Sequence, residues 1–305
     1  MVNRILVTGA LGQIGTELVA ALRSRHGEDA VIATDLRSSE GITLLDVMNL
    51  EEMDRIVSQG GVRVIYHLAA LLSATGERKP ELCWRINVGG LENVLTVAKE
   101  HGCSVFAPSS IAVFGPDCPP IAPQVTPLNP TTVYGRTKVE GEQMAIRSGI
   151  DVRGVRYPGL ISYLAPAGGG TTDYAVEIFH AAIETGHYEC FVSADTRLPM
   201  MYMDDAIRAT LELMGAPAES LGDARGGYNI AGASFSVVEL VASIQRHLPD
   251  FTCTYAPDER QAYADSWPDE VEDDIARAEW GWNPAFDLDA TVDAMFAGLS
   301  NSESP

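Results

Sequence analysis

Apolar and polar positions alternate along the first half of the chain with two different periods. Short apolar runs, typical of buried strands, occur at Arg4–Thr8, Ala30–Thr34, Ile42–Leu45, Arg63–Leu68, Ser104–Pro108 and Val152–Tyr157. Apolar residues at helical spacing predict helices near Ile14–Arg25, Leu50–Gln59, Val88–Glu100 and Tyr134–Ser148. Strands that alternate with helices in this way predict an α/β fold, a doubly wound parallel sheet covered on both faces.

The alternation becomes less regular after about residue 160. A glycine-rich loop at 163–172 is followed by helices predicted at Asp173–Thr185, Asp204–Met214 and Val237–His247, and by strands predicted at Leu198–Met203 and Gly227–Ile230. We therefore predict two domains, a sheet domain at 1–160 and a smaller cap at 161–305. Segments at about 198–230 are expected to return to the main sheet.

Composition excludes several classes of partner. The 305 residues include 21 Lys and Arg against 42 Asp and Glu, which gives a net charge of −21. A chain this acidic is not expected to bind nucleic acid or an anionic membrane, because both depend on contacts from Lys and Arg. The five cysteines are scattered without a Cys-x-x-Cys pair, and neither a signal-like segment nor a run of eighteen apolar residues occurs. These features favour a reduced, cytoplasmic protein without a zinc site.

Three glycines follow directly after the first predicted strand. Gly9, Gly12 and Gly15 stand where that strand leads into the first helix, with Gln13 and Ile14 between the last two. Glycines at this spacing allow a tight turn, a close approach of the backbone to a pyrophosphate and close packing of helix on sheet. The free N–H groups at the start of the helix also attract phosphate. The loop therefore predicts a dinucleotide site.

Acidic residues at the next two strand ends extend this site. Asp35 ends the second strand, twenty residues after Gly15, where a carboxylate would accept hydrogen bonds from a ribose and repel an added phosphate. NAD is therefore favoured over NADP, although Arg37 nearby weakens that preference. Asp46, followed by Val47, could bind the adenine amino group or could simply cap the next helix.

The ends of the fourth and fifth strands face the same predicted site. Leu68, Ala69 and Ala70 follow the fourth strand, where small side chains would let a dinucleotide cross. Ser109 and Ser110 end the fifth strand, where parallel sheets present their ligands. One of these serines could hold a substrate oxygen.

Tyr134 and Lys138 form a pair at helical spacing. Lys138 is one of only three lysines, and on a helix that begins at Tyr134 it would lie on the same face. A phenol titrates near ~10, but an adjacent ammonium and the positive ring of an oxidised nicotinamide could lower its pKa to about 7. Tyr134 would then serve as a general base. A Tyr-x-x-x-Lys pair alone is more often a surface pair, and the glycine loop upstream favours the catalytic interpretation.

Several short motifs occur in an order typical of one family. They are the Gly-x-x-Gly-x-x-Gly loop, the acid after the second strand, NVGGLENV, SSIAVFG, YGRTK and RYPG. In these motifs the chain resembles the extended short-chain dehydrogenases/reductases over essentially its whole length. The resemblance implies a Rossmann-like fold, with Tyr134 as general acid/base, Lys138 tuning that base and holding the nicotinamide ribose, and Ser110 positioning the reacting hydroxyl. It further implies that Asn87 and Tyr157 lie beside the cofactor. It also implies a homodimer formed by the helices Val88–Glu100 and Tyr134–Ser148.

The second half narrows the expected substrate. Sugar-nucleotide epimerases of this family typically read RYFNP where this chain reads RYPGL at 156–160, so the asparagine that touches the sugar nucleotide is missing. The stretches LAALLSATGE and AGGGTTDYAVEIFHAAIETG instead resemble a branch of the family that oxidises the side-chain hydroxyl of L-threonine with NAD and without a metal. We therefore expect this oxidation. A nucleotide-sugar epimerase or dehydratase and a non-catalytic NAD-binding sensor are the alternatives.

The glycine-rich loop suits a small amino acid as substrate. Backbone N–H groups at 168–170 could approach a carboxylate, and Thr171 and Thr172 add hydroxyl donors. Ser73, just past the fourth strand, is a second candidate for that carboxylate or an ordinary loop serine. Asp173 could counter the ammonium or cap the helix that begins there. The predicted substrate-binding residues are Ser73, Ser110, Tyr134, Gly170, Thr171 and Thr172.

Overall fold

The structure, a computed structural model, describes residues 4–164 and 168–302. Its strands are β1 (Arg4–Thr8), β2 (Val31–Asp35), β3 (Thr43–Leu44), β4 (Val62–His67), β5 (Ser104–Phe106), β6 (Ser109–Ser110), β7 (Ile121–Ala122), β8 (Val152–Arg153), β9 (Val155–Tyr157), β10 (Gly159–Ile161), β11 (His187–Cys190), β12 (Arg197–Tyr202), β13 (Tyr228–Asn229), β14 (Ala233–Ser236), β15 (Thr252–Tyr255) and β16 (Glu270–Val271).

Its helices are α1 (Gln13–His26), α2 (Leu50–Gly60), α3 (Ser73–Arg78), α4 (Pro80–Trp84), α5 (Gly90–His101), α6 (Val133–Ser148), α7 (Tyr174–Thr185), α8 (Met203–Gly215), α9 (Val237–Gln245), α10 (Glu259–Ala264), α11 (Asp274–Trp280) and α12 (Leu288–Ser302). The short helices α3, α4, α10 and α11 do not follow from the apolar pattern. Part of the predicted glycine-rich loop, residues 165–167, lies outside the described residues.

Six strands form the main sheet in the order β3-β2-β1-β4-β5-β8. All neighbouring strands in it are parallel. The Rossmann-like, doubly wound sheet expected from the sequence is thereby confirmed. Because β2 and β4 lie on opposite sides of β1, the strand order reverses there, and a crevice opens at the carboxyl ends of β1 and β4.

Alternate residues of β1 contribute to two separate cores. Ile5 and Val7 belong to a buried cluster with Leu18 of α1, whereas Leu6 belongs to a cluster with Met53 of α2. Helices α1 and α8 therefore cover one face of the sheet, and α2 and α5 cover the other. Burial on both faces explains why β1 is an uninterrupted apolar run and not an alternating one.

A glycine divides the sixth predicted strand. A Cβ atom at Gly154 would collide with the carbonyl oxygen of Ala107 and would lie 2.8 Å from that of Gly226. Only a residue without a side chain lets these three backbones approach. β8 remains in the main sheet beside β5, whereas β9 pairs with β6 and β13 in a separate parallel sheet. The single strand predicted at Val152–Tyr157 is therefore wrong, because its two halves belong to two sheets.

The second half of the chain, together with β7, forms smaller sheets around a core to which residues such as Phe114 and Tyr134 also contribute. Strands β10, β12 and β14 form one sheet, β11 pairs with β15, and β7 pairs with β16. The apolar cluster between these sheets and their helices includes Phe179, Phe235 and Phe251. The expected return of 198–230 to the main sheet is not seen, because β12 pairs with β10 and β14, and β13 pairs with β9 in the separate three-stranded sheet. The division into domains near residue 160 stays a prediction.

Within the described ranges, every helix is too short or too polar to cross a bilayer.

Candidate active site

A cleft opens at the carboxyl ends of the parallel strands. The ends of β4, β6 and β9 line it, together with the starts of α1, α3 and α6 and the loop before α7. The sequence-predicted residues that line it are Gln13, Ile14, Leu68, Ala70, Ser73, Ser110, Tyr134, Lys138, Tyr157, Gly170, Thr171 and Thr172. Residues predicted for catalysis, cofactor and substrate thus meet in one place.

The glycine turn between β1 and α1 has a backbone that side chains would not tolerate. Gly9 has a φ of 72°, and a Cβ atom there would lie 2.7 Å from the amide nitrogen of Ala69. A Cβ atom at Gly15 would collide with the carbonyl oxygen of Gly9. Gly12 precedes α1 without a side chain to cap it, so the first N–H groups of α1 remain available to an anion.

Asp35 is fixed at the carboxyl end of β2 by two backbone amides. Its Oδ2 accepts the N–H of Leu11 and its Oδ1 accepts the N–H of Arg37, both at 3.0 Å. Burial alone would raise the pKa of Asp35, but these amides and the Arg37 guanidinium together hold it below its usual value. Asp35 is therefore an ionised acceptor. Arg37 itself donates from its guanidinium to the Leu11 carbonyl at 2.6 Å and stays at the rim of the turn.

Asp46 does not cap the helix that follows it. Its Oδ1 accepts the N–H of Met48 at 2.9 Å, within a turn. The cap of α2 is Asn49, whose Oδ1 accepts the N–H of Glu52 at 3.1 Å. Asp46 is exposed, and its contact with an adenine stays a prediction.

Two predicted cofactor residues, Val47 and Tyr157, have buried side chains. Val47 is buried in the core beneath the sheet, against the backbone of Gly90. The hydroxyl of Tyr157 is hydrogen-bonded to the hydroxyl of Thr210 on α8. For Tyr157 the ring and the backbone, and for Val47 the backbone, are the parts that could meet a cofactor.

Asn87 holds the loop after β4 with its whole amide. Its Oδ1 accepts the N–H of Leu71 at 2.8 Å, and its Nδ2 donates to the Leu71 carbonyl at 3.0 Å and to Thr137 Oγ1 at 3.2 Å. Together with Ala69 it lines a small cavity beside Lys138. The side chain therefore acts on the site by joining this loop to α6, and a direct contact with the cofactor stays a prediction.

Tyr134 and Lys138 lie on the same face of α6, one turn apart. Thr132 begins this helix, because its hydroxyl accepts the N–H of Gly135 at 3.0 Å. The Nζ atom of Lys138 lies 5.6 Å from the centre of the Tyr134 ring and donates to the Pro108 carbonyl at 2.8 Å. Burial lowers the pKa of Lys138 to about 8, against the opposing influence of Cys83 and Glu142. Lys138 is therefore still mainly an ammonium at neutral pH.

The phenol of Tyr134 does not titrate near neutrality in the protein alone. Burial raises the pKa of Tyr134 to about 12, while a hydrogen bond with Ser110 acts in the opposite direction. The predicted pKa of about 7 is therefore not reached by the groups of the chain itself. The reason is geometric: Tyr134 is 9% exposed, and the nearby ammonium is engaged by a backbone carbonyl.

The two neighbouring serines at the end of the fifth strand have different partners. Ser109 donates to the carboxylate of Glu142 at 2.5 Å, and Glu142 forms a buried ion pair with Arg156 at 2.8 Å. Ser110 instead accepts the N–H of Ala112 at 3.2 Å and faces Tyr134. Of the two serines, Ser110 is therefore the one beside Tyr134, and its contact with a substrate stays a prediction.

The glycine-rich loop uses its own acid to satisfy two of its amides. Asp173 Oδ2 accepts the N–H groups of Gly169 and Gly170, both at 2.7 Å. The prediction that these amides bind a substrate carboxylate is wrong for Gly169 and Gly170, because a carboxylate of the chain already occupies them. Asp173 also makes no side-chain cap to α7. Ser73 and Thr171 are buried, with their hydroxyl oxygens 3.4 Å apart, and they remain as donors.

Other residues of the cleft were not found from the sequence. Trp267, which follows α10, contributes a largely buried ring to the wall, and Leu72, Ile111 and Pro158 add apolar surface. Trp267 lies more than 120 positions beyond Lys138 in a segment marked only by its acidity. No motif or periodicity connects such a residue to the cleft.

Hydride transfer from an alcohol to a nicotinamide requires a dinucleotide crevice and a proton acceptor beside it. The cleft combines both, so the molecule has the architecture of a dinucleotide-dependent oxidoreductase. Residues 5–231 match the sequence model of the NAD dependent epimerase/dehydratase family, and the chain belongs to that family. The predicted cofactor, NAD, agrees with this membership. An uncharacterized epimerase/dehydratase of Staphylococcus haemolyticus is 45% identical over 315 residues, with 99% of each chain covered.

Two solved structures are similar to the chain over nearly its whole length. A monomeric L-threonine 3-dehydrogenase of metagenomic origin, in its apo form, is 52% identical, with a TM-score of 0.95 over 98% of this chain and 100% of its own. The holo form of a GalE-like L-threonine dehydrogenase from Cupriavidus necator is 48% identical, with a TM-score of 0.94 and the same coverage. The resemblance inferred from the motifs is thereby confirmed.

Proposed function

We propose that this protein oxidises the side-chain hydroxyl of L-threonine with NAD⁺, giving 2-amino-3-oxobutanoate and NADH. The observation that carries the proposal is the meeting of Ser110, Tyr134 and Lys138 with the hydroxyls of Ser73 and Thr171 in one cleft. The two solved neighbours, at 48% and 52% identity, are threonine dehydrogenases and support the same substrate here.

The crevice fits NAD through backbone and one carboxylate. The turn at Gly9 and Gly12 has no side chain in the way of a pyrophosphate, and the start of α1 favours its charge. Asp35 is ionised, so it would accept hydrogen bonds from ribose hydroxyls and repel a phosphate placed there. When bound, the oxidised cofactor supplies a hydride acceptor and a positive charge near Tyr134.

Tyr134 is the group that would take the proton from the threonine hydroxyl. Because its pKa is about 12 in the protein alone, the phenolate requires nearby positive charge to form near neutrality. Lys138, on the same face of α6, keeps such a charge at neutral pH. Ser110 would hold the hydroxyl oxygen. The hydrogen on the same carbon then leaves with both electrons as hydride, and the proton passes from Tyr134 to solvent.

This role of Tyr134 predicts a pH dependence with a definite sign. The base is active only when it has lost its proton, so kcat/KM for threonine should fall about tenfold for each pH unit below the apparent pKa. Rates measured from acid to alkaline pH, with folding checked at each pH, should rise and then level off. A flat profile would exclude a titrating base.

The substrate end favours one orientation of the amino acid. Asp173 lines the cleft and offers a negative charge to an ammonium, while Ser73, Thr171 and Thr172 offer hydroxyls to a carboxylate. Burial raises the pKa of Asp173, against the two glycine amides that lower it. A bound ammonium would favour the ionised form of this acid and would gain a charged partner in return.

The homodimer through α5 and α6 stays a prediction. Exposed residues along these helices are mainly polar or charged, including Glu92, Thr96, Lys99, Arg136 and Gln143. One of the solved neighbours is described as monomeric. Sedimentation of the purified protein over a range of concentrations would show which state holds.

A cofactor-release assay tests the proposed function. The purified protein is mixed with NAD⁺ and, in separate samples, with L-threonine, D-threonine, L-serine and a nucleotide sugar, with no metal added and a chelator present. We expect free NADH with L-threonine and little or none with the nucleotide sugar. An epimerase would retain its reduced cofactor, and a sensor would produce none. The absence of free NADH with L-threonine, or a requirement for added metal, contradicts the proposal.

A further inference from the structure

The short helix α3 touches the substrate loop at its first turn. The N–H of Ala74 donates to the carbonyl of Gly169 at 3.2 Å, and the hydroxyl of Ser73 lies 3.4 Å from that of Thr171. Both partners belong to the loop that carries the proposed substrate donors. A movement of this loop would therefore displace the first turn of α3.

The last turn of α3 touches the catalytic helix. Oε1 of Glu77 accepts the backbone N–H of Tyr134 at 3.1 Å. Tyr134 is the second residue of α6, and N–H groups in the first turn of a helix have no partner within the helix. Thr132 satisfies the N–H of Gly135, and Glu77 satisfies that of Tyr134 from another element.

Close packing joins the same two helices. A Cβ atom at Gly76 would lie 2.8 Å from the Sγ of Cys83 and 3.6 Å from the Cβ of Tyr134. Gly76 is buried, so the backbone of α3 lies directly against the base of the Tyr134 side chain. With a hydrogen bond at the next residue, α3 has little freedom to move independently of Tyr134.

We propose that Glu77 is a positioning residue that couples the substrate loop, through α3, to the backbone of Tyr134. This inference rests on the proposed function, in which Tyr134 is the base. Glu77 does not line the cleft and acts through Tyr134. A phenol held in place from its own backbone amide keeps its oxygen aligned with Ser110, and proton transfer is sensitive to displacements of about 1 Å.

Three substitutions separate the hydrogen bond from the charge. Glu77→Gln keeps the length of the side chain and an accepting oxygen but removes the charge. Glu77→Asp keeps the charge but is one methylene shorter, and Glu77→Ala removes both. Glu81→Ala, on the exposed side of α4, is the matched control for losing one carboxylate in this region.

We expect Glu77→Ala and Glu77→Asp to lower kcat for threonine oxidation by roughly 10- to 100-fold, with NAD⁺ affinity within about 2-fold of the parent. Glu77→Gln and Glu81→Ala should stay within about 3-fold. Hydrogen exchange of the Tyr134 amide, measured without substrate, should accelerate in Glu77→Ala and Glu77→Asp only.

The inference is overturned if Glu77→Asp retains full activity while Glu77→Gln loses it, because the charge would then matter and not the contact. It is also overturned if exchange accelerates and kcat does not change, or if all rates and NAD⁺ affinity fall together. Should Glu77→Ala not fold, the Gln and Asp variants give the same decision. If the parent does not oxidise threonine, the proposed function fails, and the exchange data still test the contact with Tyr134.

Discussion

The cofactor end and the substrate end of the cleft are built in different ways. At the cofactor end, one strand–turn–helix unit forms the proposed phosphate site, and the decisive features are the close-packed backbone of the glycine turn and the free N–H groups at the start of α1. At the substrate end, the decisive atoms are side chains from β6, α3, α6 and the loop before α7. The cofactor end depends on local backbone geometry, which one added side chain would disrupt. The substrate end depends on the assembly of distant segments, in which several hydroxyl groups are proposed to bind the same substrate.

The largest effect is expected at Tyr134, the proposed proton acceptor, because the proposed mechanism assigns proton transfer to this residue alone. Tyr134→Phe should lower kcat by roughly 10²–10⁴-fold while NAD⁺ affinity stays within about 2-fold, because only the hydroxyl is lost. Single-turnover rates and a cofactor titration measure both quantities. Tyr255→Phe, at a half-exposed tyrosine of β15, is the matched control. Activity of Tyr134→Phe within about 10-fold of the parent would refute this assignment of the base.

The next effect tests whether the cofactor end depends on the backbone. Gly9→Ala adds strain at a positive φ and a Cβ atom 2.7 Å from Ala69, so NAD⁺ affinity should fall by roughly 100-fold. Gly61→Ala is the control, since Gly61 has a φ of 64° and open space around it. The control should lose only about 1 kcal/mol in free energy of unfolding. Equal NAD⁺ affinity in both variants would show that the close approach at Gly9 is unimportant.

A smaller effect is expected at Asp35, the acid proposed to select NAD over NADP. Asp35→Ser removes the charge that repels a phosphate and frees the Arg37 guanidinium, which Asp35 now contacts at 3.3 Å. NAD⁺ should bind about 10-fold more weakly, and the ratio of NADP⁺ to NAD⁺ affinity should rise by at least about 10-fold. The double variant Asp35→Ser, Arg37→Ala should keep the loss for NAD⁺ without the gain for NADP⁺. An unchanged ratio in Asp35→Ser would mean that selectivity lies elsewhere.

The smallest effect should come from one of the shared hydroxyls. Ser73→Ala removes a single donor beside Thr171, so KM for threonine should rise by about 3- to 10-fold, with kcat and NAD⁺ affinity nearly constant. Ser24→Ala, at an exposed serine of α1, provides the baseline. A 100-fold effect of Ser73→Ala would contradict the view that the substrate end distributes its contacts.

The same contrast decides what could be predicted from the sequence. The glycine turn and the Tyr134–Lys138 pair are local, so their spacing alone indicated the elements and the face on which they lie. The division of a strand at Gly154 depends on the close approach of Ala107 and Gly226, which are distant in the sequence. Periodicity carries no information about such contacts, since it describes one element at a time.

Protonation was the other point where local reasoning was insufficient. Spacing correctly placed Lys138 beside Tyr134, but it could not show that the ammonium is bound by the Pro108 carbonyl or how deeply the phenol is buried. Both facts come from β6 and the surrounding loops, and burial then dominates the pKa of Tyr134. The position of a proton therefore required the tertiary structure, whereas the identity of the residue did not.

The carboxylate of Asp173 inside the glycine loop has a consequence for what the enzyme would reject. A 3-hydroxy acid that lacks an amine would place no cation beside this acid, and an N-acylated or peptide-linked threonine would bring a neutral, bulkier group to the same spot. Each would leave the partly buried carboxylate with only its two amide donors and no cation to balance its charge, a penalty that free amino acids avoid. Discrimination in favour of free threonine would then arise from the loop's own charge and not from the shape of the cleft.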